Sequence, residues 1–328
     1  MSRRIWLLGL GLLPHVVLLL SCSGDDGGSN GTSAAGGTAG EAGGGAGGAA
    51  GGWGGPGGGG GVILTDGGPG TGGGGSAEVC DGIDNDGNGI ADDVDVGGDG
   101  VCDCLNIATI GQIGPWSNGG NIFAQWLNAR SSTPAVALGD QRLTDDLLAP
   151  FQVIVVLYAS TMQLKTLPPH HAFSQAEVEA FHRWVLDGGG VMTTIGYTPD
   201  EASEVENVNR LLHPLGLGYS TTQLDLSGFI TNWVQHPVTD SVSNIFTENG
   251  VEPADVGGTT LAQDSAGRIA LKVAQAGKGK AVVWGDEWIT YDSEWQDVHD
   301  QQVERFWLNT LKWLTFEKEC QVTLPPVK

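Results

Sequence analysis

Between Asp84 and Asp95 oxygen-bearing side chains recur at every second residue: Asp84, Asp86 and Asn88, then Asp92 and Asp95, with Gly89 sixth and Ile90 seventh in the series. This is the spacing of a twelve-residue calcium loop. Alternate short side chains and one backbone carbonyl turn toward a single point, and a glycine makes the sharp turn between them. The spacing predicts calcium held by Asp84, Asp86, Asn88, the Ile90 carbonyl, Asp92 and Asp95. The last position is Asp where Glu is usual, and no apolar-periodic helix precedes Asp84, so a paired helix-loop-helix is not expected. A second loaded stretch is DEWITYDSEW, with Asp286, Glu287, Asp292 and Glu294 among Trp288, Tyr291 and Trp295. Paired carboxylates there would suit acid/base work on a glycoside, and the aromatic rings would suit stacking on a sugar. The plainer reading is a solvated loop whose aromatics pack on a sheet edge, and eleven Trp in the chain favour it.

What must position these residues follows from composition. The chain has 328 residues, 15 Lys+Arg against 38 Asp+Glu, and a net charge of −23. Phosphate binding needs clustered Lys and Arg, so nucleic acid is excluded as a partner. No Lys or Arg occurs from residue 5 to 129, and nine acids fall within residues 78–103. Residues 24–75 hold 28 of the 55 glycines. Such a tract has too little to bury to offset its ordering entropy and reads as a flexible tether. About 220 residues from Leu105 onward remain to build one large domain.

Arg3 and Arg4 precede the apolar run IWLLGLGLLPHVVLLL, which is short for a membrane span and fits a secretory leader. Its end, Leu19-Leu20-Ser21-Cys22, resembles a bacterial lipobox. The resemblance implies that Cys22 carries acyl chains, which would bind the lipid bilayer, and Ser23 after it implies the outer membrane. Four cysteines remain, Cys80, Cys102, Cys104 and Cys320. In an exported chain that even number predicts two disulfides. Cys102 and Cys104 stand too close to bridge each other, leaving two pairings. Cys80 takes one of the middle pair and Cys320 the other.

The organisation read from the sequence is a leader at 1–21, a tether at 22–77, an acidic segment at 78–104, a folded domain at 105–320 and a tail at 321–328. The domain alternates apolar runs with amphipathic segments. LNIATI, VIVVL and VMTTI read as buried strands, and the continuous VIVVL suits a parallel sheet covered on both faces. Ser174, with Glu177 three residues on, marks a capped helix ending at Gly188-Gly189-Gly190. ALKVA and AVVWG read as a strand pair joined at Gly277-Lys278-Gly279, and Val303 to Leu314 as a final helix. The pattern predicts an α/β fold with a mainly parallel sheet flanked by helices. A last helix antiparallel to the strands would end near Cys104, which favours Cys104–Cys320 and therefore Cys80–Cys102.

The acidic segment resembles the short CDGIDNDGNGxxDD repeats of secreted bacterial proteins, described as a metal-binding motif. FQVIVVLYAS, FSQAEVEAFHRWVLDGGGVMTTIGY, HPVTD and GKGKAVVWGDEW…NTLKWL together resemble the class I glutamine amidotransferase-like superfamily over about residues 105–316. The likeness is to its non-amidotransferase, flavodoxin-like branches, which include trehalose-utilisation-type proteins. Open α/β sheets bind ligands outside the carboxyl ends of their strands, and here those ends are expected to bring together Gln112, Ser160, Tyr197, Asp286, Glu287 and Asp292. Amidotransferases of the superfamily use a Cys at a strand-to-helix turn and a late His. Here the turn would be Gly196-Tyr197-Thr198, no Cys lies between Cys104 and Cys320, and Asp286-Glu287-Trp288 stands where the His would be. Glutamine hydrolysis is therefore not expected.

The first expectation is a surface-anchored, non-enzymatic lipoprotein. It would have a calcium-binding loop and a domain that binds a glycan, another ligand or a surface protein. The alternative is a carbohydrate-acting hydrolase using Asp286, Glu287 and Asp292. His170-His171, after Pro168-Pro169, reads as an exposed loop. Ser160 at a strand end would be the nucleophile of any Ser-His-Asp arrangement, although no nucleophile-elbow motif surrounds it.

Overall fold

In a computed structural model the described residues are 77–114, 119–132, 134–165, 167–196, 203–224, 228–296, 302–315 and 320. The leader, Cys22, the tether before Ala77, Tyr197 and the tail lie outside them. The elements in order are β1 (Ile107–Ile110), α1 (Asn121–Asn128), β2 (Val136–Gly139), α2 (Asp145–Leu148), β3 (Val153–Val156), α3 (Gln175–Asp187), β4 (Gly190–Thr194) and α4 (Val205–Leu212). There follow β5 (Tyr219–Gln223), β6 (Gly228–Ile230), β7 (Asn232–Trp233), β8 (Ile245–Thr247), β9 (Val251–Pro253), β10 (Thr259–Gln263), β11 (Ile269–Ala276), β12 (Gly279–Trp284), α5 (Asp292–Trp295) and α6 (Val303–Leu314).

The principal sheet has eight strands in the order β2-β1-β3-β4-β12-β11-β10-β7. The five from β2 to β12 are parallel, and β11, β10 and β7 extend the sheet antiparallel. The fold class is α/β with a mainly parallel sheet and flanking helices. Successive residues of each central strand enter different cores. Val153, Val155, Met192, Val282 and Trp284 pack with α1 and α6. Ile154, Val156, Val191, Ala281 and Val283 pack with α3 and α4. A strand buried on both faces has no polar side to show, so VIVV is apolar throughout. Helix α3 starts as its sequence indicates: Ser174 and Glu177 form a reciprocal capping box. Strand β2 gave no sequence signal because an exposed edge strand of four residues carries little apolar pattern.

The acidic segment, residues 78–104, has bends and turns and is fastened to this domain. The disulfides are Cys80–Cys104 and Cys102–Cys320, with Cα separations of 5.3 and 5.2 Å. This corrects the expected Cys104–Cys320 and Cys80–Cys102 pairing. Cys320, beyond α6, lies against Ala91 and Asp92 of the acidic segment and is bridged to Cys102. Cys320 N donates to Ala91 O at 3.0 Å. Both sulfurs of that bridge lie against the Asp92 carbonyl, at 2.8 and 3.0 Å. Arg130, the first base after the base-free window, adds a second tie. It is buried, pairs with Asp99, donates to Trp126 O at 2.8 Å and stacks over the Trp126 ring at 3.9 Å.

Candidate functional site

Open parallel sheets place ligands outside the carboxyl ends of their strands. Here those ends lead into Gly111–Gly114 after β1, Leu157–Ser160 after β3, Ile195-Gly196 after β4 and Gly285–Glu287 after β12. Glu287 is the acid at their centre. Its carboxyl lies between Gly114 and Gly196, and a Cβ at either position would overlap it. Sequence reading missed its partner, Glu204. Glu204 is fully buried just before α4, and neither carboxylate oxygen has a hydrogen-bond partner among the described residues. The signal available was its place on the connection from a central strand to a helix. Tyr291 completes the group. Its buried hydroxyl stands beside the Glu287 carboxyl.

Burial holds the Glu287 carboxyl up at about 7, with the neighbouring Tyr291 hydroxyl opposing the rise. Burial and then the nearby Glu287 push Glu204 well above the carboxylate range. Two acids removed from water so close together cannot both ionise cheaply. Tyr158 is raised by burial first and also feels both acids.

Of the remaining predicted cleft residues, Asp286 and Asp292 serve the backbone. Asp286 is fully buried, accepting from Glu248 N at 2.5 Å and Trp288 N at 3.0 Å. Burial raises its pKa despite these donors. Asp292 accepts from Ile122 N at 2.8 Å. Gly120, at the N-cap of α1, provides no side-chain cap, so Asp292 supplies one from a distant part of the chain. Replacing it, Asp292→Ala, is expected to cost about 1 kcal/mol, a typical cap loss, measured by denaturant unfolding. No loss would remove this assignment. Gln112 pairs with Tyr158 through backbone, and its side chain is exposed. Ser160 is buried and donates to Ser203 Oγ at 3.0 Å. Trp295 is turned inward against Phe123 and Trp126, with ring centroids 5.9 and 5.3 Å away.

In the acidic segment most predicted ligands accept backbone N–H groups. Asp84 takes those of Gly87, Asn88 and Gly89 at 2.7, 3.1 and 2.7 Å. Asp86 takes Asn88 N at 2.9 Å, and Asn88 Oδ1 takes Ile90 N at 2.8 Å. Asp92 takes Asp81 N and Gly82 N at 2.9 and 2.8 Å, and Asp95 turns to Asp99 N and Gly100 N at 3.1 and 3.0 Å. The carboxylate oxygens that converge are those of Glu78, Asp86 and Asp93, all within 4.8 Å of one another. Glu78 lies outside the twelve-residue loop, and Asp93 falls between its ligand positions. An all-oxygen, all-anionic set fits a hard divalent cation.

The His170-His171 pair is not an exposed loop. Its side chains are 5% and 10% exposed, packed against Phe173 and against each other. A groove of about 690 Å³ lies at the opposite, amino end of the strands, lined in part by Phe151, Trp184 and Lys278. Its Arg183 is already held by Asp145 at 3.0 and 2.9 Å, and it is remote from the converging acids.

No family model matches this sequence, and no curated protein matches it. Among solved structures, the mmIFT52 N-terminal domain aligns over 64% of this chain and 97% of its own, with a TM-score of 0.50 at 14% identity. A cytoplasmic protein from Salmonella typhimurium LT2 aligns over 64% of this chain and 100% of its own, with a TM-score of 0.49 at 15% identity. A ThuA-like protein from Bacteroides uniformis ATCC 8492 aligns over 64% and 90%, with a TM-score of 0.38 at 12% identity. At 14% identity the likeness to the mmIFT52 domain is one of fold alone.

Proposed function

We propose that this chain is a lipid-anchored surface protein whose head is a binding module of class I amidotransferase-like, flavodoxin-like architecture. In this reading calcium stiffens the acidic segment at the base of the head. Cys22 would hold the molecule to the outer membrane, and the glycine tether would carry the head clear of the lipid by roughly 40 Å. The leader, the lipobox-like end and the glycine tract support the anchor. The strand order β2-β1-β3-β4-β12 supports the architecture, since it matches doubly wound folds that bind at their strand ends. The observation that carries the calcium reading is the convergence of Glu78, Asp86 and Asp93. They lie on a segment that Cys80–Cys104 closes on itself and Cys102–Cys320 fastens to the head.

Calorimetric titration of the full chain with calcium tests it. One saturable site is expected, with thermal unfolding shifted upward. At a hundredfold excess over Kd the gain is about 2.7 kcal/mol. Asp86→Asn should weaken the site. No heat and no shift up to about 10 mM calcium, roughly tenfold above the weak end of extracellular sites, would overturn it.

The hydrolase alternative keeps one acid of its three. Asp286 and Asp292 are committed to backbone donors, while Glu287 has an unpartnered oxygen and a pKa near neutrality, as a general acid requires. A glycan screen on the full chain separates the readings. Binding without turnover supports the module. Turnover lost in Glu287→Gln would establish the hydrolase.

A further inference from the structure

The chain carries a second cluster of ligating groups, on a part of the domain that the proposed function leaves unused. Asp140 follows the edge strand β2, and His170 and His171 lie on the connection from β3 to α3. Ligand atoms of all three stand within 4.8 Å of one another. His170 Nδ1 is 3.4 Å from Asp140 Oδ1, and His171 Nδ1 is 2.5 Å from the same oxygen. From these residues we infer a binding site for a divalent transition metal of the zinc type, with Asp140, His170 and His171 as protein ligands.

The far side of each ring makes the case. His170 Nε2 faces the Gly139 carbonyl at 3.1 Å, and His171 Nε2 faces Glu177 Oε1 at 2.7 Å. Histidines that bind metal characteristically donate their other N–H to a carbonyl or a carboxylate, which fixes the tautomer and turns the remaining lone pair toward the ion. With Nε2 protonated in both rings, each Nδ1 presents a lone pair. Those lone pairs then meet only oxygen. His170 Nδ1 lies 2.9 Å from His171 O as well as near Asp140, and His171 Nδ1 meets Asp140. Lone pair against lone pair is unfavourable unless a cation stands between them. A second ring proton on His171 would pair it with both carboxylates, yet His170 faces a carbonyl oxygen with each ring nitrogen and in either tautomer sets one lone pair against oxygen. One divalent ion satisfies both nitrogens and the carboxylate together.

The rest of the surroundings fit such a site. Glu177 is anchored on α3 through Oε2, which accepts from Ser174 N, Ser174 Oγ and Arg142 Nη1 at 2.8, 2.7 and 3.1 Å, and through Oε1, which accepts from Leu143 N at 3.1 Å. It can therefore orient His171 without coordinating. His170 is placed by its own N–H, which donates to Ser160 O at 2.7 Å, and His171 N–H donates to Asp140 Oδ1 at 2.7 Å. Asp140 keeps 58% of its side chain exposed. The ion therefore has an entry path, and the carboxylate has freedom to open its short contact with His171 as the metal enters. Three protein ligands and a solvent-facing side leave a position for water or a small ligand, as zinc sites with open coordination do. Two imidazoles and one carboxylate suit zinc and its neighbours, not calcium.

The test is zinc titration of the untagged full chain, stripped of metal by chelator and kept in excess calcium so that the acidic segment does not compete. One equivalent of zinc should bind, and cobalt in its place should give visible absorption bands of low-symmetry Co(II). Asp140→Asn and His171→Gln should each weaken binding by about 100-fold or more. Glu177→Gln keeps the capping box and should weaken binding by about 10–100-fold, the usual effect of losing an outer carboxylate. If His171→Gln fails to fold, Asp140→Asn on a largely exposed side chain still decides the matter. No saturable uptake, or uptake unchanged by Asp140→Asn, overturns the inference.

Discussion

Replacing Cys102 and Cys320 together by serine is expected to lower the stability of the head by up to about 5 kcal/mol. Replacing Cys80 and Cys104 should cost about 3 kcal/mol. The estimate comes from loop closure in the unfolded chain, where a longer closed loop removes more conformational entropy. Cys102 and Cys320 are separated by 218 residues, Cys80 and Cys104 by 24. The long bridge also ties the end of the chain to Ala91 and Asp92, so its loss frees the acidic segment and the exit from α6 together. Denaturant unfolding of both double mutants checks the order of the losses, and peptide mapping without reduction checks the connectivity. Equal losses, or a peptide joining Cys104 to Cys320, would contradict the arrangement.

Stability should also fall as pH rises through neutrality, an uncommon direction for a protein with 38 acids. Glu287 ionises near 4.5 in the unfolded chain and at about 7 in the fold. Between those values the native state holds a proton that the unfolded state has lost. Raising pH therefore favours unfolding, by at most about 1.4 kcal/mol per pH unit for one group. Integrated over that interval the loss is on the order of 3 kcal/mol. Glu204 and Asp286 are raised by burial in the same sense and deepen the fall. Glu177 acts oppositely. Burial alone would raise it, but donors from Ser174, Leu143 and His171 hold it at about 2. Its contribution is complete above the unfolded value and is lost as pH falls toward 2. The maximum should lie at mildly acidic pH. Glu287→Gln should raise stability at pH 8 by on the order of 3 kcal/mol and flatten the slope. Denaturant midpoints between about pH 4 and 8.5 measure both. A flat or rising profile would mean that solvent or a counter-charge reaches these acids.

Much of the framework was legible because it is local. Ser174 and Glu177 sit three residues apart and cap one helix. VIVV is apolar on both of its faces. Gly277 to Gly279 turns β11 into β12. Each needs only neighbours in sequence and the period of its element. The antiparallel extension through β10 and β7 was less legible, since short strands with polar residues on one side match loops as readily as strands.

The sites behaved differently. Asp286 and Asp292 have the residue type of catalytic acids, and only the fold reveals that Glu248 N and Ile122 N claim them. Glu204 shows no motif, yet it becomes the neighbour of Glu287 when β4 and β12 pair. His170 and His171 followed two prolines and looked solvated until β2 brought Asp140 across 31 residues to meet them. The sequence by itself determined the periodic elements, the acidic spacing, the glycine tract and an even cysteine count, because covalent spacing and period express them directly. Tertiary structure alone decided which cysteines join, which acids converge and which serve the backbone. Those outcomes depend on where distant strand ends and returning chain segments come to lie, and on the burial that results.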